Sequence, residues 1–133
     1  MMRITALLLL LAVQACTTAP SLSPCSHPML ETKLFFGLSR PDGRSVTARE
    51  FETFVTREIV HRFPEGFTIV DGTGRWFEAQ SKRTITEKTR ILIRLHGATD
   101  AEKRAIDEIA QGYKQTFHQE SVLRTDSLTC PTF

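Results

Sequence analysis

The sequence predicts an α+β domain, a ferredoxin-like β-α-β-β-α-β sandwich in which two helices cover one face of an antiparallel sheet. Two amphipathic helical patterns, a set of strand patterns and the order in which they alternate support this prediction. The chain has 133 residues, enough for one such domain and too few for two. We therefore assign residues 31–133 to a single folded unit.

The first strand and the first helix have clear sequence signals. Residues 32–39, TKLFFGLS, predict a strand with Leu34 and Phe36 on one face, and a Pro-Asp-Gly turn signal follows. Thr47 and Glu50 form a capping-box pattern that begins a helix. The apolar stripe of this helix comprises Phe51, Phe54, Val55, Ile59 and Phe63.

The middle of the chain predicts strands and a small extra hairpin. Residues 67–70 and 75–79 read as short strands joined by Asp-Gly-Thr-Gly, a common hairpin-turn signal. A polar segment follows at residues 80–86. Residues 88–96 form the longest strand pattern, with one face made of Ile91, Ile93 and Leu95.

The second helix and the last strand complete the predicted order. Thr99 and Glu102 repeat the capping-box pattern, and residues 121–125 predict the final strand. The helix between them has one apolar face, formed by Ala105, Ile106, Ile109, Ala110, Tyr113 and Phe117.

The N-terminal residues indicate export. The apolar run at residues 4–13 is shorter than the roughly 20 residues that span a bilayer and is typical of a signal peptide. It ends in VQAC, which resembles a bacterial lipobox. We expect residues 1–15 to be removed and Cys16 to carry a lipid that anchors the protein to a membrane, facing the periplasm or cell exterior. Residues 16–30 then form a flexible tether. A soluble secreted form without the lipid is the alternative.

The other two cysteines, Cys25 and Cys130, are candidates for a disulfide. Two cysteines left over in an oxidising compartment usually pair. Cys25 precedes the first strand and Cys130 follows the last, and these strands are antiparallel neighbours in a ferredoxin-like sheet. The predicted fold therefore brings both cysteines to the same end of the sheet. Two free thiols are the alternative.

Charge and motifs argue against several functional classes. Basic and acidic residues nearly balance, 17 against 15, so the positive excess typical of nucleic-acid binding is missing. The chain has no G-x-S-x-G elbow, and its Gly-Thr-Gly lacks the third glycine of a dinucleotide loop. Glu58 and His61 have no second pair to complete a metal site. We expect no cofactor, no metal and no nucleic acid. The catalytic residues are unknown. Enzymatic activity stays an open question, and the lack of these motifs argues against it.

A candidate surface follows from strand alternation. We expect the aliphatic face of residues 88–96 to pack under the helices, which turns the alternate residues to the helix-free face. The candidate ligand-binding residues are Arg90, Arg94, His96 and Phe35, with Trp76 on the neighbouring hairpin. Three interpretations are open: a site for an anionic or aromatic ligand, a homodimer packed sheet to sheet, or a solvated face covered by residues 80–86. Trp76 either stacks on a ligand or fills the core.

Three segments carry a resemblance to a known family: TKLFFGLSRPDGRSVT, FPEGFTIVDGTGRW and QESVLRTDSLTC. They resemble the bacterial domain of unknown function 3574 family, a group of small exported proteins. The resemblance extends from residue 32 to the C-terminus and implies one exported domain, without an activity or a catalytic residue. We expect a non-enzymatic binding or interaction module of the cell envelope. The alternative is a small periplasmic enzyme that uses the Arg90, Arg94 and His96 face on an anionic substrate.

Overall fold

The secondary structure follows the predicted order. The computed structural model describes residues 25–132, so the predicted signal peptide and the lipid site at Cys16 lie outside the described residues. The elements are β1 (Met29–Gly37), α1 (Ala48–Phe54) with a following π-helical turn (Val55–Ile59), β2 (Thr68–Glu78), β3 (Arg83–His96), α2 (Asp100–Phe117) and β4 (Leu123–Thr129). Neither helix in this part of the chain is both long and apolar enough to cross a bilayer.

The sheet confirms the ferredoxin-like topology. Its strand order is β2-β3-β1-β4, and each neighbouring pair is antiparallel. In β1, Leu34 lies opposite Leu92 of β3 and Arg124 of β4. Directly opposed residues of antiparallel strands lie on the same face, so the even-numbered residues of these three strands share the face that the helices cover.

The predicted extra hairpin is not formed, because the residues expected to make both of its strands belong to the single strand β2. Asp71 and Gly74 lie inside β2, paired with Arg90 and Glu87 of β3, and the turn is at residues 79–82. The glycine at position 72 serves a close approach instead of a turn, since a Cβ there would lie 2.9 Å from a methyl group of Thr89. The predicted polar segment at 80–86 does not cover the sheet, because residues 83–86 are part of β3 and pair with β2.

The core lies between the sheet and the two helices, and aromatic rings dominate it. Phe36 of β1 is fully buried, with its ring centroid 4.5 Å from that of Tyr113 and 5.8 Å from that of Phe51. The Tyr113 hydroxyl donates a hydrogen bond of 2.8 Å to the carbonyl of Gly37. Both predicted capping boxes are present. The buried apolar residues are Leu34, Phe36, Val46, Phe51, Phe54, Val55, Ile59, Phe63, Leu92, Ile106, Ile109, Tyr113 and Phe117.

The predicted disulfide between Cys25 and Cys130 is confirmed in the structure, with the two Cα atoms 5.6 Å apart. It lies where the fold argument placed it, since Met29 at the start of β1 pairs with Thr129 at the end of β4. The bond therefore joins the segment that enters β1 to the segment that leaves its neighbour, the edge strand β4.

Candidate functional site

The predicted surface residues of β3 lie on the helix side of the sheet, which corrects the sequence-based assignment. Arg94 and His96 are only 7% and 1% exposed, because their strand is registered with Leu92 opposite the core residue Leu34. The only apolar residue of β3 on the helix side is Leu92, so alternation within the strand favoured the opposite face as the buried one. The aliphatic set Ile91, Ile93 and Leu95 is therefore on the helix-free face.

The guanidinium groups of Arg90 and Arg94 form ion pairs with carboxylates of the same protein. Arg90 Nε lies 2.6 Å from a carboxylate oxygen of Asp71. Arg94 Nη2 donates to Glu65 at 2.9 Å, and Arg94 Nη1 donates to the carbonyl of Gly66 at 2.7 Å. Neither side chain forms the open anion clamp that the sequence suggested.

His96 belongs to a buried polar chain that crosses three strands. The Thr32 hydroxyl donates to the carboxylate of Asp126 and accepts a hydrogen bond of 2.8 Å from Nε2 of His96. The backbone N–H of Ala98 donates to Nδ1 of His96 at 3.2 Å. Since Nε2 donates and Nδ1 accepts, these partners select the neutral imidazole with its proton on Nε2.

The pKa shifts of His96 and Asp126 agree with these hydrogen bonds. Burial lowers the pKa of His96, an effect that Glu102 opposes and Arg94 reinforces. Burial acts to raise the pKa of Asp126, but hydrogen bonds from Thr32 and Arg124 outweigh it and hold that pKa below its ordinary value. A neutral, buried imidazole beside an ionised carboxylate stabilises the strand pairing and has little access to a substrate.

We expect the stability of the protein to fall as the pH drops below about 6.5, the ordinary histidine pKa. The lowered pKa of His96 means that the unfolded chain takes up this proton more readily than the folded one. The stability that the neutral His96 contributes is therefore fully present above pH 6.5. It is lost as the pH falls towards the lower pKa of the folded state, by no more than about 1.4 kcal/mol per pH unit. Urea unfolding at pH 5 to 8 measures it.

A histidine replacement isolates this effect. His96→Gln keeps an N–H that can donate to Thr32 and removes the titrating ring, so the slope between pH 5 and 6.5 should flatten. His61→Gln, at an exposed position of the chain, is the matched control and should keep the slope. Equal slopes in the two variants would contradict the role of His96.

The helix-free face carries a row of apolar side chains that crosses all four strands. Val70 of β2 lies opposite Ile91 of β3, Ile91 lies opposite Phe35 of β1, and Phe35 lies opposite Leu123 of β4. We term these four residues the apolar row. Leu123 is 60% exposed, while Phe35 and Ile91 are partly buried by their neighbours. Phe35 is thus on the face that the sequence predicted for it.

The neighbouring rows of the helix-free face mix apolar, charged and hydroxyl side chains, since Thr125 lies opposite Lys33 and Ser127 lies opposite Glu31. In the neighbouring rows, Ile93 lies opposite Lys33 and Leu95 lies opposite Glu31. The Lys33 ammonium is 2.6 Å from the Glu31 carboxylate, so the two charges cancel. Trp76 lies on the distal half of the β2–β3 hairpin with about half of its surface exposed, which excludes the alternative that it fills the core.

Cavities also open on the helix side. One of about 660 Å³ lies between the β2–β3 hairpin and the segment after β1, and its polar lining includes Ser39, Ser45, Asp71, Lys88 and Arg90. Another of about 430 Å³ lies between α1 and the C-terminal end of α2. The sequence predicted neither, because each is lined by residues from separate segments of the chain.

Comparisons with known proteins place the fold. A family model described as "Protein of unknown function (DUF3574)" matches residues 31–133. A phage SAM lyase in complex with S-methyl-5'-thioadenosine is similar in structure, with a TM-score of 0.56, 19% identity and coverage of 74% of this chain and 80% of that chain. A phage SAM lyase in the apo state has a TM-score of 0.58, 18% identity and coverage of 80% and 85%, respectively. No curated protein sequence matches the chain. At these identities, the likeness is one of fold alone.

Proposed function

We propose that this chain, which belongs to the DUF3574 family of proteins of unknown function, is an exported binding module of the cell envelope that works as a homodimer packed sheet to sheet. The apolar row on the helix-free face is the observation that carries this proposal. Contiguous exposed apolar patches on soluble proteins usually mark interaction sites. A face with Ile91, Ile93 and Leu95 turned away from the core favours a partner over bulk water.

The size of the face suits a second copy of the chain. A face of four strands, each about 4.8 Å from the next, and nine residues of about 3.3 Å rise has an in-plane area of roughly 570 Å². Side-chain relief adds to this area, which brings it near the roughly 800 Å² that each partner contributes to a standard interface.

The charges of the face also suit a second copy. A two-fold contact brings the same patch together from both sides, so the patch must be compatible with itself. The central residues Phe35 and Ile91 are uncharged, and Lys33 and Glu31 neutralise each other. Two such faces therefore meet without net repulsion.

The proposal of export rests on the cysteines. A bond between Cys25 and Cys130 agrees with an oxidising compartment, where disulfides form and persist. Attachment of a lipid at Cys16 would hold the dimer at a membrane surface. The periplasm or cell exterior is thus the proposed location.

The enzyme alternative has less support from the geometry. His96 is buried and fixed as a neutral donor, and the guanidinium groups of Arg90 and Arg94 already have carboxylate partners. The fold shared with a phage SAM lyase does not carry an activity to this chain, because one fold hosts many functions.

A pair of leucines on β4 tests the dimer. Leu123 and Leu128 are 60% and 75% exposed, but Leu123 lies on the helix-free face and Leu128 on the opposite one. In analytical ultracentrifugation at tens of micromolar, about the range of a moderate interface, we expect the wild type to sediment as a dimer and Leu123→Glu as a monomer. The physical reason is that each dimer would bury two carboxylates without partners.

Leu128→Glu is the matched control, since it adds the same charge to the same strand on the other face. It should remain dimeric. A monomeric wild type, or equal dissociation of both variants, would refute the sheet-to-sheet dimer.

A further inference from the structure

The cavity between α1 and the end of α2 contains three arginines and goes beyond the proposed dimer. Its volume of about 430 Å³ is within the usual range of small-molecule sites. We term it the arginine groove. The lining residues that matter for its chemistry are Arg40, Arg49, Arg57, Glu50, Glu58 and Phe117.

Arg40 has an unsatisfied hydrogen-bond donor. Its side chain is only 12% exposed, and its guanidinium carbon lies 5.3 Å from the centre of the Phe117 ring. Arg40 Nη2 contacts Glu50 at 2.6 Å, whereas its buried Nε has no hydrogen-bond partner among the described residues. This atom is closed off from solvent, so it is not available to a ligand in the groove.

Arg49 and Arg57 supply positive charge that is not neutralised. They are eight residues apart on α1 and the π-helical turn, a spacing that places both on one side of the helix. Both are exposed, and within residues 25–132 neither forms an ion pair. This distinguishes them from Arg90 and Arg94, which have internal carboxylates.

The two carboxylates of the groove are already used. Glu50 binds Arg40 and also accepts from the backbone N–H of Thr47, whose hydrogen bonds lower the pKa of Glu50 and keep it ionised. Glu58 lies 3.0 Å from Arg62. Neither carboxylate therefore neutralises Arg49 or Arg57.

We propose that the arginine groove binds a small organic phosphate. Guanidinium groups donate paired hydrogen bonds to phosphate oxygens, and a phosphate dianion matches the two arginines that lack partners. The groove is larger than a phosphate ion, and the rings of Phe54 and Phe117 give it an apolar wall. The remainder of the ligand is thus a sugar-sized or ring-bearing group.

Isothermal titration of the full chain with ribose 5-phosphate tests the proposal, with ribose as the uncharged comparison. We expect the phosphate ester to bind with a Kd of about 1 mM or below and ribose to show no binding. The double variant Arg49→Gln/Arg57→Gln should weaken binding by at least about tenfold, because each charge-assisted hydrogen bond contributes that much or more. Both positions are exposed, so the variant should fold, which circular dichroism checks.

The matched control is Arg75→Gln/Arg104→Gln, which removes the same charge from exposed positions outside the groove. It should bind ribose 5-phosphate as the wild type does. If both double variants lost the same affinity, the effect would come from net charge alone and the proposal would be overturned. So would equal heats for ribose and ribose 5-phosphate, or no binding at about 10 mM, well above the expected Kd.

Discussion

Replacing Phe36 with alanine should lower the free energy of unfolding by about 3–5 kcal/mol, the range for a fully buried phenylalanine. Phe36 is completely buried on the central strand, and its ring contacts those of Phe51, Phe54 and Tyr113. Because these rings come from both helices, the substitution would leave a cavity where both helices pack against the sheet. Urea unfolding monitored by circular dichroism measures the loss.

Phe77→Ala is the control for this prediction. It removes the same side chain from β2, where Phe77 is 66% exposed, and should cost less than about 1 kcal/mol. If the two variants lost similar stability, Phe36 would not be the centre of the core. A loss below about 1 kcal/mol for Phe36→Ala would contradict the packing described above.

Removing the disulfide should cost up to about 5 kcal/mol. The bond between Cys25 and Cys130 spans a sequence separation of 105 residues, and in the chain-entropy model the cost of closing so long a loop in the unfolded state is about that large. Cys25→Ser/Cys130→Ser should therefore unfold at a much lower urea concentration with the same fold.

The wild type in excess reductant is the comparison for the serine variant, because it loses the same bond without a substitution. Both samples should show the same unfolding midpoint. If reduction left the urea midpoint of the wild type unchanged, the prediction would be wrong, because losing the bond would not have stabilised the unfolded chain.

The helices and the topology could be predicted because their signals are local and redundant. At Thr47 and Thr99 a capping box coincides with the start of an apolar stripe, and two independent patterns agree. The disulfide added a third constraint on strand order. The glycine at position 72 misled the prediction because glycine signals a turn and a close approach equally well, and only the contact with Thr89 distinguishes them.

The candidate sites could be predicted only in part. Phe35 was placed correctly by alternation within its own strand, while the two faces of β3 were exchanged because most of its aliphatic residues lie on the helix-free face. The hydrogen-bond partners of Arg94 are Glu65 and Gly66, which lie in a loop far from Arg94 in the sequence. The arginine groove joins Arg40, α1 and the end of α2, so no local pattern could reveal it.

The disulfide has a mechanical consequence. A pull applied to the chain before Cys25 and after Cys130 passes through the covalent bond between them, and the 105 residues of separation carry no tension. The hydrogen bonds that join β1 to β4 are thus shielded from this load. In the reduced protein the same pull would act on β1 and β4 directly and separate the two strands pair by pair. A load applied between the two sides of this bond is therefore transmitted without unravelling the sheet.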